Sequence, residues 1–332
     1  MATPRQPALP ADPAKLRLGA TEISQYLRNV SQRRSEEDYF PAQVMRTAIR
    51  WLERSRLYSP FYLHIDCFDP HEPWDPPRTD VDLYDPGYTG DEVIYPVYAP
   101  PTYLSPAELQ HMRALYAGEV TLVDRWLGVL FDAIENLGLL DNTIIMLMSD
   151  HGILLGEHNA IGKAREDTDP RLHYPLWEEL AHIPLMIRSP GIAPRRTAAL
   201  AQPADIVPTL LDLAGVERPA NLNGVSLTPL LLHTAGEDEP ALRPIAVASR
   251  SLLAPPSAQP AITVFDGAWT LIYGGSHAPS YLFHLPDDPS QQTDRLAEEC
   301  EKARQLHGQL ATFLESTGIP ESRIAPWRLP PC

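Results

Sequence analysis

The feature that most restricts the fold of this 332-residue chain is the apolar run Asn142–Ser149, which is followed directly by Asp150-His151-Gly152. An apolar run of this length is typical of a central parallel strand that is covered on both faces. Further segments with strand and helix patterns alternate with it along the chain. This alternation predicts an α/β domain.

Hydrophobic periodicity, prolines and capping residues indicate where the other elements of this domain lie. We expect a helix at residues 42–55, a second helix that begins at the Ser105-Pro106-Ala107-Glu108 capping box and ends at about Gly138, and a third at Pro203–Ala214. We expect strands at Phe61–Phe68 and Ile183–Ile187.

The pattern changes after about residue 240. Ile262–Phe265 and Trp269–Tyr273 are apolar segments separated by Asp266-Gly267, which predicts a β-hairpin with a type I′ turn. Arg295–Ser316 has the spacing of an amphipathic helix. We therefore predict an α/β domain over residues 1–240 and a small C-terminal α+β subdomain over residues 241–332.

The charge balance argues against several classes of partner. The chain has 27 Lys and Arg against 43 Asp and Glu, a formal charge of −16. Such a surface repels nucleic acid and acidic membranes, although a local cationic pocket can still bind a small anion. There is no signal-peptide pattern and no apolar stretch long enough to span a bilayer. Three cysteines suggest reduced thiols, so we expect a cytoplasmic protein.

Proline is unusually abundant, with 36 residues that are densest between residues 70 and 106. Proline fixes one backbone angle and removes a hydrogen-bond donor, so such a segment forms long, stiff loops. Long ordered loops in a compact enzyme usually line an active site.

Asp150 and His151 carry the strongest local signal for chemistry. They follow a predicted strand directly, and ligands of α/β proteins collect beyond the carboxyl ends of strands. A carboxylate and an imidazole side by side can both bind one divalent cation. From these residues alone, a capping Asp and a surface His are an equally good interpretation.

The surrounding motifs extend this signal over most of the chain. In order they are Phe68-Asp69-Pro70-His71-Glu72-Pro73-Trp74, Ser149-Asp150-His151-Gly152 continuing through Gly156-Glu157-His158 to Gly162-Lys163, Ile183-Pro184-Leu185-Met186-Ile187-Arg188-Ser189-Pro190-Gly191, and Leu282–Pro289. Together they resemble the sulfatases of the alkaline-phosphatase superfamily, in the branch that includes arylsulfatases and phosphonate monoester hydrolases. His284 stands where that family usually has Asp.

The resemblance implies a fold, a cofactor and four site residues. The fold would be an alkaline-phosphatase-like central sheet with flanking helices. Asp150 and His151 would hold a divalent metal, Ca²⁺, Mg²⁺ or Mn²⁺. Lys163 would contact the sulfate or the leaving oxygen, and His71 would donate a proton to the leaving group. Positive groups aimed at these oxygens would lower the barrier to ester hydrolysis. Without the motif, a solvated Lys163 and a turn-capping His71 would be the ordinary interpretations.

The sequence also departs from the family pattern. Family members begin with a strand that ends in an Asp-Asp metal pair, followed by C-x-P-x-R or S-x-P-x-R, whose Cys or Ser becomes the formylglycine nucleophile. Neither motif occurs in these 332 residues. We therefore expect a central sheet that is incomplete at its N-terminal strand, and a truncated chain that is weakly active alone. Its partners would be a small sulfate- or phosphate-ester substrate and either a missing N-terminal half or a second copy in a homo-oligomer.

Three functions remain open at this point. The first is a metal-dependent hydrolase of sulfate esters. The second is a phosphonate monoester or phosphodiester hydrolase of the same superfamily, because the residues present accept both kinds of ester. The third is a non-catalytic partner subunit or remnant, which the missing nucleophile motif favours.

Overall fold

A computed structural model of the chain describes residues 8–166, 168, 172–233, 239–249, 261–276 and 278–332. The α-helices are α1 (Ala20–Val30), α2 (Phe40–Ser55), α3 (Arg78–Val81), α4 (Pro106–Asn136), α5 (Glu178–Ala181), α6 (Ile206–Leu213), α7 (Thr228–Leu231), α8 (Cys300–Ser316) and α9 (Glu321–Ile324). The β-strands are β1 (Ile145–Met148), β2 (Leu154–Leu155), β3 (Ile161–Gly162), β4 (Ala164–Arg165), β5 (Leu172–His173), β6 (Leu185–Arg188), β7 (Ala246–Ala248), β8 (Ile262–Phe265), β9 (Trp269–Tyr273) and β10 (Tyr281–His284).

The chain divides into two compact units. The first comprises Met1–Asn142 and Leu154–Arg171, and the second comprises Thr143–Ile153 and Leu172–Cys332. The boundary that the sequence suggests near residue 240 falls inside the second unit, and it stays a prediction.

The core of the first unit lies between α2 and α4, which pack along each other. Helix α4 begins at the expected capping box, where the Ser105 hydroxyl accepts from the Glu108 amide and the Glu108 carboxylate accepts from the Ser105 amide. The buried residues of α4 recur every three or four positions, as expected for one face of a helix. Gly118 is one of them, and a Cβ at this position would lie 2.8 Å from the Pro76 ring. The glycine therefore lets the proline-rich loop approach the helix closely.

The strand predicted at Phe61–Phe68 is not formed in the structure. In the described part of the chain this segment pairs with no strand. Its side chains still alternate: the even-numbered ones, such as Tyr62 (75%) and Phe68 (64%), are exposed, and the odd-numbered ones are half-buried. The apolar, β-branched composition gave the right periodicity, but a strand also needs a neighbour for its backbone hydrogen bonds.

The run that ends at Ser149 does form a strand, but not a parallel one. Strand β1 pairs antiparallel with β6, with Ile145 opposite Arg188 and Met148 opposite Leu185. Met186 on β6 is 60% exposed. The prediction of a parallel strand covered on both faces is therefore wrong for β1 as the structure has it, because an apolar run does not specify the direction of its partner.

The C-terminal part of the second unit is a four-stranded antiparallel sheet in the order β10-β9-β8-β7, with α8 packed against it. Leu271, Leu282, Leu306 and Leu310 belong to one apolar core beneath it. The predicted hairpin and helix are both present, although α8 begins at Cys300 rather than at residue 295.

The predicted turn of that hairpin differs in detail. The Asp266 amide donates to the Trp269 carbonyl, so the two loop residues are Gly267 and Ala268. Only Gly267 has a positive φ, of 102°, whereas a type I′ turn needs two such residues. The Asp266 carboxylate accepts from the Ala268 and Trp269 amides. That side chain therefore shapes the turn from outside the loop.

The expectation of three reduced thiols is wrong for two of them. Cys300, at the start of α8, forms a disulfide with Cys332, while Cys67 is free. Burial raises the pKa of the Cys67 thiol to about 11, so it stays protonated at neutral pH. Among the described helices, none has the length and apolarity needed to cross a membrane.

The disulfide leads to a stability prediction for the second unit. It closes a loop with a sequence separation of 32, so reducing it adds conformational freedom to the unfolded chain. We expect Cys332→Ser to lower the free energy of unfolding by about 2–4 kcal/mol. Denaturant unfolding under non-reducing conditions measures this. Cys67→Ser is the matched control, and equal stability of the two variants would contradict the prediction.

Candidate active site

Asp150 and His151 lie together in the second unit, just beyond the end of β1. Asp150 Oδ2 is 3.3 Å from His151 Nε2, and the two side chains are 82% and 44% exposed. The other carboxylate oxygen, Oδ1, accepts from the His151 amide at 2.8 Å. The pair thus presents one oxygen and one nitrogen to solvent from the same point of the chain.

The tautomer of His151 suits a metal ligand. Its Nδ1 lies 2.9 Å from the Gly152 carbonyl oxygen, which can only accept, so Nδ1 carries the proton in this contact. In the neutral ring, the lone pair then belongs to Nε2, the atom next to Asp150 Oδ2. A backbone acceptor on the far ring nitrogen is the usual way in which proteins orient a metal-binding histidine.

Gly152 explains why the turn after this pair is so tight. Its amide donates to the Leu180 carbonyl at 3.0 Å. A Cβ at this position would lie 1.9 Å from the Glu179 carbonyl oxygen, so any other residue would force the backbone apart. The glycine that the motif supplies is therefore required for the conformation that presents Asp150 and His151.

Two donor atoms fit a divalent cation only in part. A hard cation such as Ca²⁺ takes six to eight ligands, and Mg²⁺ takes six. Within the residues that the structure describes, no group of three or more His, Cys, Asp or Glu side chains could hold a metal ion. Asp150 and His151 thus match part of a coordination shell, and the remaining ligands would come from elsewhere.

His71 lies in the first unit, in the loop between Asp69 and Asp75. Its Nδ1 donates to the Glu72 carbonyl oxygen at 2.7 Å, which again leaves Nε2 without the proton in the neutral ring. The ring also packs against Phe68, with centroids 4.4 Å apart. Trp74 anchors the loop from inside, because its indole nitrogen donates to the Pro70 carbonyl and its amide donates to Ile94.

Lys163 also lies in the first unit, directly after the short hairpin formed by β2 and β3. Leu154 pairs with Gly162 in this hairpin, and the Glu157 carboxylate accepts from the Leu155 amide at 2.6 Å. Gly162 has a φ of +89°, and a Cβ there would lie 2.2 Å from the Tyr98 ring. The backbone before Lys163 is therefore pressed onto a buried tyrosine.

Three acidic side chains, Asp69, Asp75 and Glu119, lie close together at the His71 loop. Asp75 accepts from the Tyr26 hydroxyl at 2.6 Å and from Arg33 at 2.8 Å, and its amide donates to Glu119 at 2.9 Å. Burial, then repulsion from Asp69 and Asp75, raises the pKa of Glu119 to about 9. Burial likewise raises the pKa of Asp69 to about 6. Asp69 and Asp75 flank the loop in the sequence, but Glu119 follows Asp75 by 44 positions, and no sequence pattern indicates that it lies here.

Comparison with known proteins gives a consistent match. A family model described as Sulfatase matches residues 13–216. Arylsulfatase K from Rattus norvegicus is 29% identical over 220 residues, a match that covers 58% of this chain and 37% of that protein. The match therefore spans well under half the length of this relative.

Two solved structures show the fold. A putative sulfatase from Bacteroides fragilis matches with a TM-score of 0.69 at 22% identity, over 88% of this chain and 61% of that one. A phosphonate monoester hydrolase from Silicibacter pomeroyi matches with a TM-score of 0.64 at 22% identity, over 88% and 62%. These matches confirm the predicted α/β class and its alkaline-phosphatase-like fold.

The raised pKa of Glu119 leads to a pH-dependent prediction. Because the pKa of Glu119 is higher in the folded chain than in the unfolded one, the folded state binds more protons between about pH 4.5 and 9. This contribution to stability is fully present below the unfolded pKa and is lost as pH rises through the folded pKa. Glu119→Gln keeps an acceptor for the Asp75 amide and removes the titration. We therefore expect the variant to gain stability relative to the wild type between pH 5 and pH 9.

Urea unfolding of both proteins at pH 5, 7 and 9 checks this expectation. Glu135→Gln, an exposed position on the same helix, is the control for the loss of a carboxylate. A constant difference between Glu119→Gln and the wild type across this range would show that Glu119 does not titrate as described.

Proposed function

The chain belongs to the sulfatase family, and from this premise we propose that it hydrolyses sulfate esters with the help of a divalent cation. The observation that carries the proposal is the exposed pair formed by Asp150 Oδ2 and His151 Nε2, 3.3 Å apart, within the stretch that the family model matches. Both atoms belong to exposed side chains, and the Gly152 turn holds them side by side.

Asp150 and His151 are the proposed metal ligands. The cation would be Ca²⁺, Mg²⁺ or Mn²⁺, since a carboxylate oxygen suits all three. When bound, it supplies positive charge to the nonbridging oxygens of the ester. The chain's own part is to fix His151 in the tautomer that leaves Nε2 available, through the contact from Nδ1 to the Gly152 carbonyl.

His71 is proposed to exchange a proton with the leaving group through Nε2. The Glu72 carbonyl keeps a proton on Nδ1, so the neutral ring can only accept at Nε2. Donation from Nε2 requires the doubly protonated ring, and the Glu72 carboxylate, with Oε2 3.4 Å from Nδ1, offsets part of that positive charge. The ammonium group of Lys163 is proposed to attract the sulfate oxygens in the same reaction.

We further propose that the 332 residues are weakly active alone and that an N-terminal segment carrying the nucleophile completes the enzyme. The extended segment at residues 61–68 supports this, because it exposes Tyr62 and Phe68 where a neighbouring strand would cover them. The matched relatives also extend well beyond the aligned part.

A location in the cytoplasm stays a prediction, and the Cys300–Cys332 disulfide is more typical of oxidising compartments.

Hydrolysis of phosphonate monoesters is the second candidate. The structural match to the hydrolase from Silicibacter pomeroyi favours it, and the same cationic groups would stabilise either ester. A non-catalytic partner subunit is the third, because the sequence has neither C-x-P-x-R nor S-x-P-x-R.

Metal titration tests the proposed ligands. With two protein ligands, we expect Ca²⁺ or Mn²⁺ to bind weakly, with a dissociation constant of about 10⁻⁴–10⁻³ M. Asp150→Ala should weaken this binding at least about tenfold, because it removes the only anionic ligand of the pair. Isothermal titration calorimetry measures the change. Asp141→Ala, which removes another exposed carboxylate, should leave the binding unchanged, and equal loss in both variants would refute the assignment.

A substrate panel separates the candidate activities. The chain is joined to the N-terminal half of a sulfatase and assayed with an aryl sulfate and an aryl phosphonate monoester. We expect faster turnover of the sulfate, and a decrease in kcat of about 10²–10⁴-fold in His71→Asn, because the leaving group loses its proton donor. His64→Asn, at an exposed position on the extended segment 61–68, is the control. Faster turnover of the phosphonate would favour a phosphonate monoester hydrolase. If neither ester is hydrolysed, the result would favour a non-catalytic partner subunit.

A further inference from the structure

Glu72, the residue next to His71, has an unusual environment for a carboxylate. Only 1% of its side chain is exposed. Its Oε1 accepts a hydrogen bond from the Tyr98 hydroxyl and lies 3.5 Å from Arg17 Nη1. Its Oε2 is buried without a hydrogen-bond partner and faces His71 Nδ1 at 3.4 Å. A buried charge is costly unless it is paired, so the position of this carboxylate depends on Tyr98 and Arg17.

Tyr98 contacts the segments of both proposed catalytic residues. Its hydroxyl donates to Glu72, beside His71, while its ring lies against the Gly162 backbone, beside Lys163. The Tyr98 carbonyl also accepts from the Glu166 amide at 2.9 Å. Burial and the Glu72 carboxylate raise the pKa of Tyr98 well above its usual range, so the phenol remains the donor.

Arg17 closes this arrangement from the other side. Its guanidinium makes two hydrogen bonds to Glu166, of 2.7 and 2.9 Å, and lies over the Tyr98 ring with Cζ 4.1 Å from the centroid. The same group donates to the Tyr95 hydroxyl at 3.1 Å. Arg17 thus compensates the charges of Glu72 and Glu166, one on each of the two segments.

We propose that Glu72 and Tyr98 are positioning residues, which hold the His71 ring and the Lys163 hairpin in one fixed arrangement. The carbonyl that orients His71 belongs to Glu72 itself, so anchoring the Glu72 side chain through Tyr98 also fixes that acceptor. The inference rests on the proposed function for the roles of His71 and Lys163. The contacts that carry it are independent of any reaction.

The test is the tautomer of His71 in the 332-residue chain, read from the ring nitrogens by ¹H–¹⁵N NMR. With the proton of the neutral ring held on Nδ1 by the Glu72 carbonyl, we expect this tautomer to exceed the other by about 10:1 in the wild type. Tyr98→Phe keeps the ring against Gly162 and removes only the hydroxyl. It should lower the ratio to about 2:1, because the Glu72 carboxylate loses its closest donor and moves.

Two further variants keep the test decisive. Tyr95→Phe removes a phenol that Arg17 contacts but that does not touch Glu72, and it should keep the wild-type ratio. Glu72→Gln retains an acceptor for Tyr98 but removes the carboxylate charge that faces His71 Nδ1 at 3.4 Å, so it should shift the ratio in the same direction as Tyr98→Phe. If Tyr98→Phe and Tyr95→Phe both give the wild-type ratio, the positioning role is refuted.

The readout also separates this inference from the proposed function. It requires no hydrolysis, so a chain that cleaves no ester can still show the effect of Tyr98→Phe on His71. That result would support the positioning role while the proposed function failed. Conversely, if the enzyme is active and Tyr98→Phe leaves the His71 tautomer ratio unchanged, the proposed function stands and the positioning role is refuted.

Discussion

The arrangement of the first unit depends on how it pairs its buried acids. Glu72, with 1% of its side chain exposed, belongs to the loop that carries His71, and Glu119, which is 2% exposed, accepts from the Asp75 amide at the end of that loop. The two acids meet the cost of burial differently. Glu72 lies against Arg17 and accepts from Tyr98, whereas burial raises the pKa of Glu119 until it is neutral at physiological pH. The loop is thus held by two buried acids, one that contacts Arg17 and Tyr98 and one whose pKa is raised by burial.

Asp150, in the second unit, has the opposite environment from these two acids. The Asp150 side chain is 82% exposed, and its Oδ2 lies 3.3 Å from Nε2 of the neighbouring His151. Here the carboxylate is open to solvent, and the Gly152 turn fixes its direction without burying it. This contrast agrees with the proposed roles, because a metal ligand needs an accessible charge, whereas a group that orients a catalytic ring needs a rigid one.

The sequence predicted what depends on local chemistry. The capping box predicted the start of α4, and the apolar run predicted a strand that ends just before Asp150 and His151. The Phe61–Phe68 strand and the direction of β1 were wrong because pairing depends on neighbours that periodicity does not specify. Tyr98 escaped notice for a related reason: its contacts reach residues 26 positions before it and 64 positions after it, and an isolated tyrosine in a proline-rich loop carries no signal.

The proposed metal site requires the end of β1 to supply two ligands to one divalent cation. Crystals of the chain soaked in Mn²⁺ and measured for anomalous scattering show whether it does. We expect one peak at about 2.0–2.4 Å from both Asp150 Oδ2 and His151 Nε2. A strong Mn²⁺ peak at another group of residues, with none between these two atoms, would contradict it.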